Sequence, residues 1–192
     1  LIGCELADNK SYVTGGFFDT QKNQSFRDNF FKKKRLNLTK VDWVTGSSML
    51  LNLKKIKVKN IFDENFFLYF EEFDFCQKLK KQNFSVLLCK SLKIYHLGFK
   101  SSNLSVHDFK KEADKLRNWH WMWSQFYYYK KNYGFLNAFS RSIGKLINSF
   151  LKAFFYLLIF DQRNKNKYLY RCLGLLSSML GSKSYYRGKF FN

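Results

Sequence analysis

The densest cluster of chemically useful side chains runs from Phe62 to Leu79, where Glu71, Glu72 and Asp74 follow a run of aromatic residues. A carboxylate fixed within hydrogen-bond reach of a hydroxyl can take its proton while the oxygen attacks carbon, which is general-base catalysis. The same three carboxylates would also serve as an acidic first turn that complements a helix dipole. Upstream, Trp43, Gly46 and Ser47 offer an aromatic plane and a stretch of backbone that a ligand can approach closely, because glycine has no side chain to block it. As alternatives, Trp43 reads as a core residue and Gly46 as a turn residue. His96, at the end of an apolar stretch, reads as a hydrogen-bonded core histidine. His107 and His120 have no such context.

These side chains need elements to hold them. Leu1 to Leu6 and Tyr12 to Phe18, which contains Gly15-Gly16, read as strands separated by a turn at Asp8-Asn9. From Val41 to about Phe99 the pattern alternates: strands over Val41–Val44 and Ser48–Leu53, a helix over Glu71–Lys81, then strands over Ser85–Cys89 and Leu92–Tyr95. That alternation is α/β patterning. In the helix, Phe73, Cys76 and Leu79 recur at three-residue spacing and define an apolar face. After His107 the strand signals fade, and Asp108–Tyr133, Leu136–Phe160 and Lys167–Leu180 read as three basic, aromatic helices. The aromatic residues crowded between Arg117 and Lys131 need an apolar cover. The expected organisation is one α/β unit over residues 1–103 and a helical extension over 104–192.

The chain has 192 residues, 34 Lys and Arg against 14 Asp and Glu, and a formal charge of +20. A polyanionic partner follows from that balance, either nucleic acid or the anionic face of a membrane. The absence of proline and the wealth of Lys, Asn, Phe and Tyr are also what AT-rich codon usage alone would produce. Lys32–Arg35 reads as a solvated charge run, with phosphate contact as the alternative. Cys4, Cys76, Cys89 and Cys172 never form a C-x-x-C pair, so neither a zinc knuckle nor a disulfide framework is indicated. The most apolar window, Leu146–Phe160, is shorter than the ~20 residues of a spanning helix and fits burial at an interface.

The stretch Phe62–Leu79 resembles the F-D-E-x-F-F-x-Y-x-E-D-x-D-x-x-x-R-L segment of bacterial family 2 glycosyltransferases, particularly rhamnosyl- and galactofuranosyltransferase-like members. Val41–Leu50 resembles the strand and glycine loop of that family, and Ile94–Gly98 its v-x-H-x-x-G ending. The likeness covers Leu1 to Ser102, with a weaker echo in Arg117, Ser124, Tyr127, Tyr128, Lys131 and Gly134. It implies the C-terminal part of a GT-A (Rossmann-like) α/β domain followed by a basic aromatic α-helical tail. The implied activity is inverting sugar transfer from a nucleoside-diphosphate donor to a saccharide or lipid-linked acceptor in cell-surface glycan synthesis, at the inner face of the cell membrane.

By that resemblance Glu72 stands where the family has the aspartate base of its Glu-Asp pair. The extra methylene leaves the base open among Glu72, Asp74 and Glu71, in that order. Trp43, Gly46 and Ser47 would line the sugar and acceptor pocket, and His96 would help hold a divalent metal, Mg or Mn. The D-x-D motif that carries metal and nucleotide in the family does not occur here; Glu72-Phe73-Asp74 is the nearest pattern. The expectation is therefore a fragment, with the nucleotide-binding half upstream of Leu1 and no turnover by this chain alone. An anionic membrane surface is the expected polyanion. A nucleic-acid module is the alternative, disfavoured because Asp63, Glu64, Glu71, Glu72 and Asp74 would repel phosphate.

Overall fold

The computed structural model describes residues 2–6, 15–16, 38–56, 60–94 and 106–188. Lys32–Arg35 and His96 lie outside the described residues. The chain divides into two compact units, one of Leu1–Asp63 with Glu71–Gly98, the other of Glu64–Phe70 with Phe99–Asn192.

In the first unit, β1 (Ile2–Leu6), β2 (Gly15–Gly16), β3 (Leu38–Val41), β4 (Trp43–Val44) and β5 (Met49–Leu50) precede α1 (Glu71–Lys81) and β6 (Val86–Ile94). A four-stranded sheet has the order β3-β6-β1-β5, and β2 pairs with β4 separately. β1 and β6 run parallel, whereas β3 is antiparallel to β6 and β5 to β1. Parallel neighbours need a long crossover, and α1 lies on it. The core forms where Val41, Val44, Val86 and Leu88 meet Phe75, Cys76 and Leu79 of α1.

β6 is one strand where the sequence reads as two. The polar Lys90-Ser91 pair, taken there as a break, falls in a register shift instead: Cys4 pairs with Cys89, and the next residue, Glu5, pairs with Lys93. An irregularity of this kind absorbs surplus residues without ending the strand.

α1 has the bounds its sequence implies because its ends are chemically marked. Glu71, Glu72 and Asp74 occupy the first turn and Lys78, Lys80 and Lys81 the last, each complementing the dipole at its own end. Asn83, at φ 60°, closes it: Phe84 N donates to Leu79 O at 3.0 Å and Asn83 N to Lys80 O at 3.0 Å, a Schellman motif. Lys80 pairs with Asp42 at 2.7 Å and Lys78 donates to Asn60 O at 3.1 Å, fixing the helix to the adjoining loops.

In the second unit, α2 (Val106–Tyr133), α3 (Phe135–Leu158) and α4 (Gln162–Met179) run up, down and up. Lys145 donates to Gln125 at 2.7 Å and Arg141 lies over Tyr129, which places α3 antiparallel to α2. Lys115 lies over Tyr170, and Gly174 abuts Trp119, which places α4 parallel to α2. At that crossing a β-carbon on Gly174 would lie 2.1 Å from Trp119 O, so only glycine fits. Gly134, at φ 86°, turns the chain between α2 and α3.

α4 begins five residues before the apolar periodicity that marks it in sequence. Asp161 caps it, accepting from Asn164 N at 3.0 Å and from Asn164 Nδ2 at 2.7 Å. The first turn is polar, so periodicity starts too late to show it.

The aromatic residues of α2 are covered by the segment Glu64–Phe70. Phe66 meets Tyr127, Phe67 meets His120, and Phe70 meets both Trp121 and Tyr128, with centroids 4.9–5.5 Å apart. Ser124 donates to Leu68 O at 2.7 Å. Tyr69 and Phe70 both take left-handed φ, 66° and 69°, a conformation costing about 1–3 kcal/mol each for side-chain-bearing residues. Rings of α2 hold them in it.

Candidate active site around Glu72

Four of the six described site residues expected from the sequence lie at one edge of the first unit. β4 ends at Val44, and the turn that follows carries Gly46 and Ser47, both exposed. A β-carbon on Gly46 would lie 3.9 Å from Glu72 Cβ, so the turn faces the first turn of α1. Thr45 and Ser47 share a hydroxyl contact at 3.4 Å within the turn. Trp43 lies beneath: it is 4% exposed and stacks on Phe73 at 4.4 Å between centroids, with planes 24° apart. Its ring is thus part of the core, and its Nε1 is enclosed with no acceptor among the described residues.

Glu71 and Glu72 are both half-buried, and each has an enclosed Oε2 with no hydrogen-bond partner among the described residues. Burial raises the carboxyl pKa of Glu72 to about 7, and repulsion from Glu71 adds to the rise. Glu71 is raised as well, by burial. Two neighbouring carboxyls that resist ionising together, with enclosed oxygens, suit a group that takes a proton near neutral pH.

Asp74 differs from both. It is 3% exposed and partnered within the fold, one position past Phe73 on the way to the buried Phe75 and Cys76. Cys76 is fully buried, and burial pushes its thiol up to about 12, which favours the neutral, unreactive thiol.

No group of three or more His, Cys, Asp and Glu side chains among the described residues could hold a metal ion. His96, expected as a metal ligand, lies outside the described residues.

His120 is a finding that its sequence context does not signal. It is fully buried, its Nε2 donating to Tyr186 O at 2.6 Å and its Nδ1 accepting from Ser184 at 3.1 Å. It ties the segment after α4 to α2.

No protein-family model matches the chain, and no solved structure matches it. Over 63 residues it is 30% identical to the low-salt glycan biosynthesis hexosyltransferase Agl10 of Haloferax volcanii. Part of this chain is related to a glycosyltransferase. The similarity covers 33% of the chain and 20% of that hexosyltransferase, so the chain spans about a fifth of the relative it matches. The relationship supports transferase activity as a class and carries no detail of donor, acceptor or mechanism.

Proposed function

We propose that this chain is the acceptor-side part of an inverting glycosyltransferase of family 2 with a GT-A-type α/β domain, and that Glu72 is its base. The observation that carries the proposal is the enclosed Glu72 carboxyl on the helix turn that faces Gly46, with its pKa raised to about 7. An acceptor hydroxyl admitted beside Gly46 gives its proton to Glu72 as its oxygen attacks the anomeric carbon. The bond from that carbon to the diphosphate breaks, and the nucleoside diphosphate leaves with the electron pair. Attack opposite the leaving group inverts the sugar. Glu71 contributes by raising the proton affinity of its neighbour, and Ser47 is placed to hydrogen-bond acceptor hydroxyls.

The helical unit fits a lipid-linked acceptor presented at a membrane surface. α3 exposes Ile147, Phe150, Leu151, Phe154 and Phe155, and has no acidic residue in its first turn. No helix among the described residues is long and apolar enough to cross a membrane, so the contact proposed is peripheral, at the inner face.

The test is acceptor-dependent release of nucleoside diphosphate from a panel of nucleotide sugars, by a protein joining this chain to a nucleotide-binding half. Release with at least one donor is expected. Release with none, together with tight binding of single-stranded nucleic acid, would replace this reading with a nucleic-acid module.

A further inference from the structure

We propose that the end of the helical unit where α3 passes into α4 binds the phosphate head of an anionic membrane lipid. A basic cavity takes the phosphate there, and an apolar corner enters the acyl region. The inference rests on the membrane-surface part of the reading above and is independent of sugar transfer.

The cavity, about 600 Å3, lies between α2 and the first turns of α4. Lys110, Lys111 and Lys115 come from one face of α2 and Arg163 and Lys167 from α4, with Asp114 the sole carboxylate in the lining among the described residues and side-chain amides completing it. Lys115 is neutralised by Glu112 at 2.6 Å, and Asp114 pairs with Arg117 at 3.6 Å. Lys110, Lys111, Arg163 and Lys167 are exposed. Cations and amide donors lining a pocket match the charge and acceptor oxygens of a phosphate group.

The up-down-up order puts the end of α3 at this same end of the unit. There Phe154, Phe155, Leu157, Leu158, Ile159 and Phe160 are all at least half exposed. Phe160 is the most telling. It is 84% exposed and adopts φ 58°, closing α3 with bonds from Phe160 N to Leu157 O and Asp161 N to Tyr156 O. Gly181 closes α4 by the same pair of bonds at φ 79°, without the steric penalty of a side chain. An aromatic ring held in a strained backbone conformation with nothing around it is poor economy for a surface in water, and useful for one that enters lipid.

A lipid phosphate accounts for both halves of this surface. Free phosphate would leave the corner unexplained, and nucleic acid, though it could stack on the rings of Phe154, Phe155 and Phe160, would leave aliphatic Leu157, Leu158 and Ile159 in water. From Phe135 to Gly188 the only acidic residue is Asp161, already engaged as the cap of α4.

Flotation of the 192-residue chain with phosphatidylcholine vesicles, with and without phosphatidic acid, tests the site. Preference for phosphatidic acid is expected, reduced about tenfold or more by the paired reversal Arg163→Glu/Lys167→Glu and little changed by Lys54→Glu/Lys55→Glu, a reversal of equal charge in the other unit. Phe160→Gly should raise the melting temperature while weakening binding. If the reversed pair does not fold, Lys110→Gln/Lys111→Gln on α2 takes its place. Equal losses from the cavity and control reversals would overturn the site while leaving the membrane reading standing. No binding by the unmodified chain would overturn both. Release from vesicles by stoichiometric inorganic diphosphate, or tighter binding of single-stranded DNA through the same residues, would assign the cavity to a soluble anion or to nucleic acid.

Discussion

Glu72 and Gly46 face each other across the turn after β4, with 3.9 Å between the glutamate Cβ and the place where a β-carbon on the glycine would sit. Because that is ordinary van der Waals contact, a small side chain at 46 fits the fold. A larger one fills the space beside the first turn of α1. Gly46→Leu should raise KM for the acceptor at least several-fold while changing stability by no more than ~0.5 kcal/mol, the usual range for an exposed site. Steady-state kinetics with acceptor varied, beside thermal denaturation, separates the two; an unchanged KM would remove Gly46 from the site.

The raised pKa of Glu72 sets a pH dependence of stability. Its folded value of about 7 lies above its ordinary 4.5, so the folded protein holds this proton more tightly than the unfolded chain does. The resulting stabilisation is complete below pH 4.5 and is lost as pH rises through about 7. Glu72→Gln cannot ionise and should be more stable than the wild type above pH 7 by on the order of 1–3 kcal/mol, with the difference shrinking toward pH 4.5. Denaturation midpoints across that range read it directly. A variant less stable at all pH values would mean that Glu72 is a structural carboxylate.

His120 gives the opposite slope. Burial lowers its pKa to about 4 from the ordinary 6.5, only partly opposed by its bond to Tyr186 O and reinforced by Arg187. The stability that goes with the neutral ring is present above pH 6.5 and is lost as pH falls toward 4. Between those values the wild type should lose about 2–3 kcal/mol that His120→Gln does not. Equal acid sensitivity in both proteins would show that the ring titrates without constraint.

Much of this arrangement is legible in the sequence where local chemistry decides it. The bounds of α1 follow from acidic residues at one end and basic residues with Asn83 at the other, and the three long helices follow from periodicity. What is not legible depends on partners far away in the chain. Lys90-Ser91 breaks an apolar run, yet β1 supplies the register that carries the strand through it. The rings of α2 imply a cover without naming it, and Glu64–Phe70 supplies it by contacts more than fifty residues apart in sequence. Gly174 looks like an ordinary helical glycine until Trp119 O is placed against it. At the candidate site, the carboxylates Glu71, Glu72 and Asp74 are visible as a set, but burial separates them. Asp74 is enclosed and partnered, while Glu72, whose Cβ lies by Gly46, has an enclosed oxygen with no hydrogen-bond partner among the described residues. Trp43 reads as a possible sugar platform, whereas Phe73 occupies its face.

The proposed role of Glu72 as base is tested by the rate of sugar transfer, at saturating donor, by Glu72→Gln beside Glu71→Gln and Asp74→Asn in a protein joining this chain to a nucleotide-binding half. Loss of general-base catalysis predicts a fall of about 10²–10⁴-fold in kcat for Glu72→Gln with donor binding retained, and a smaller fall for Glu71→Gln. Undiminished transfer by Glu72→Gln, with collapse in Asp74→Asn or Glu71→Gln, would contradict the assignment.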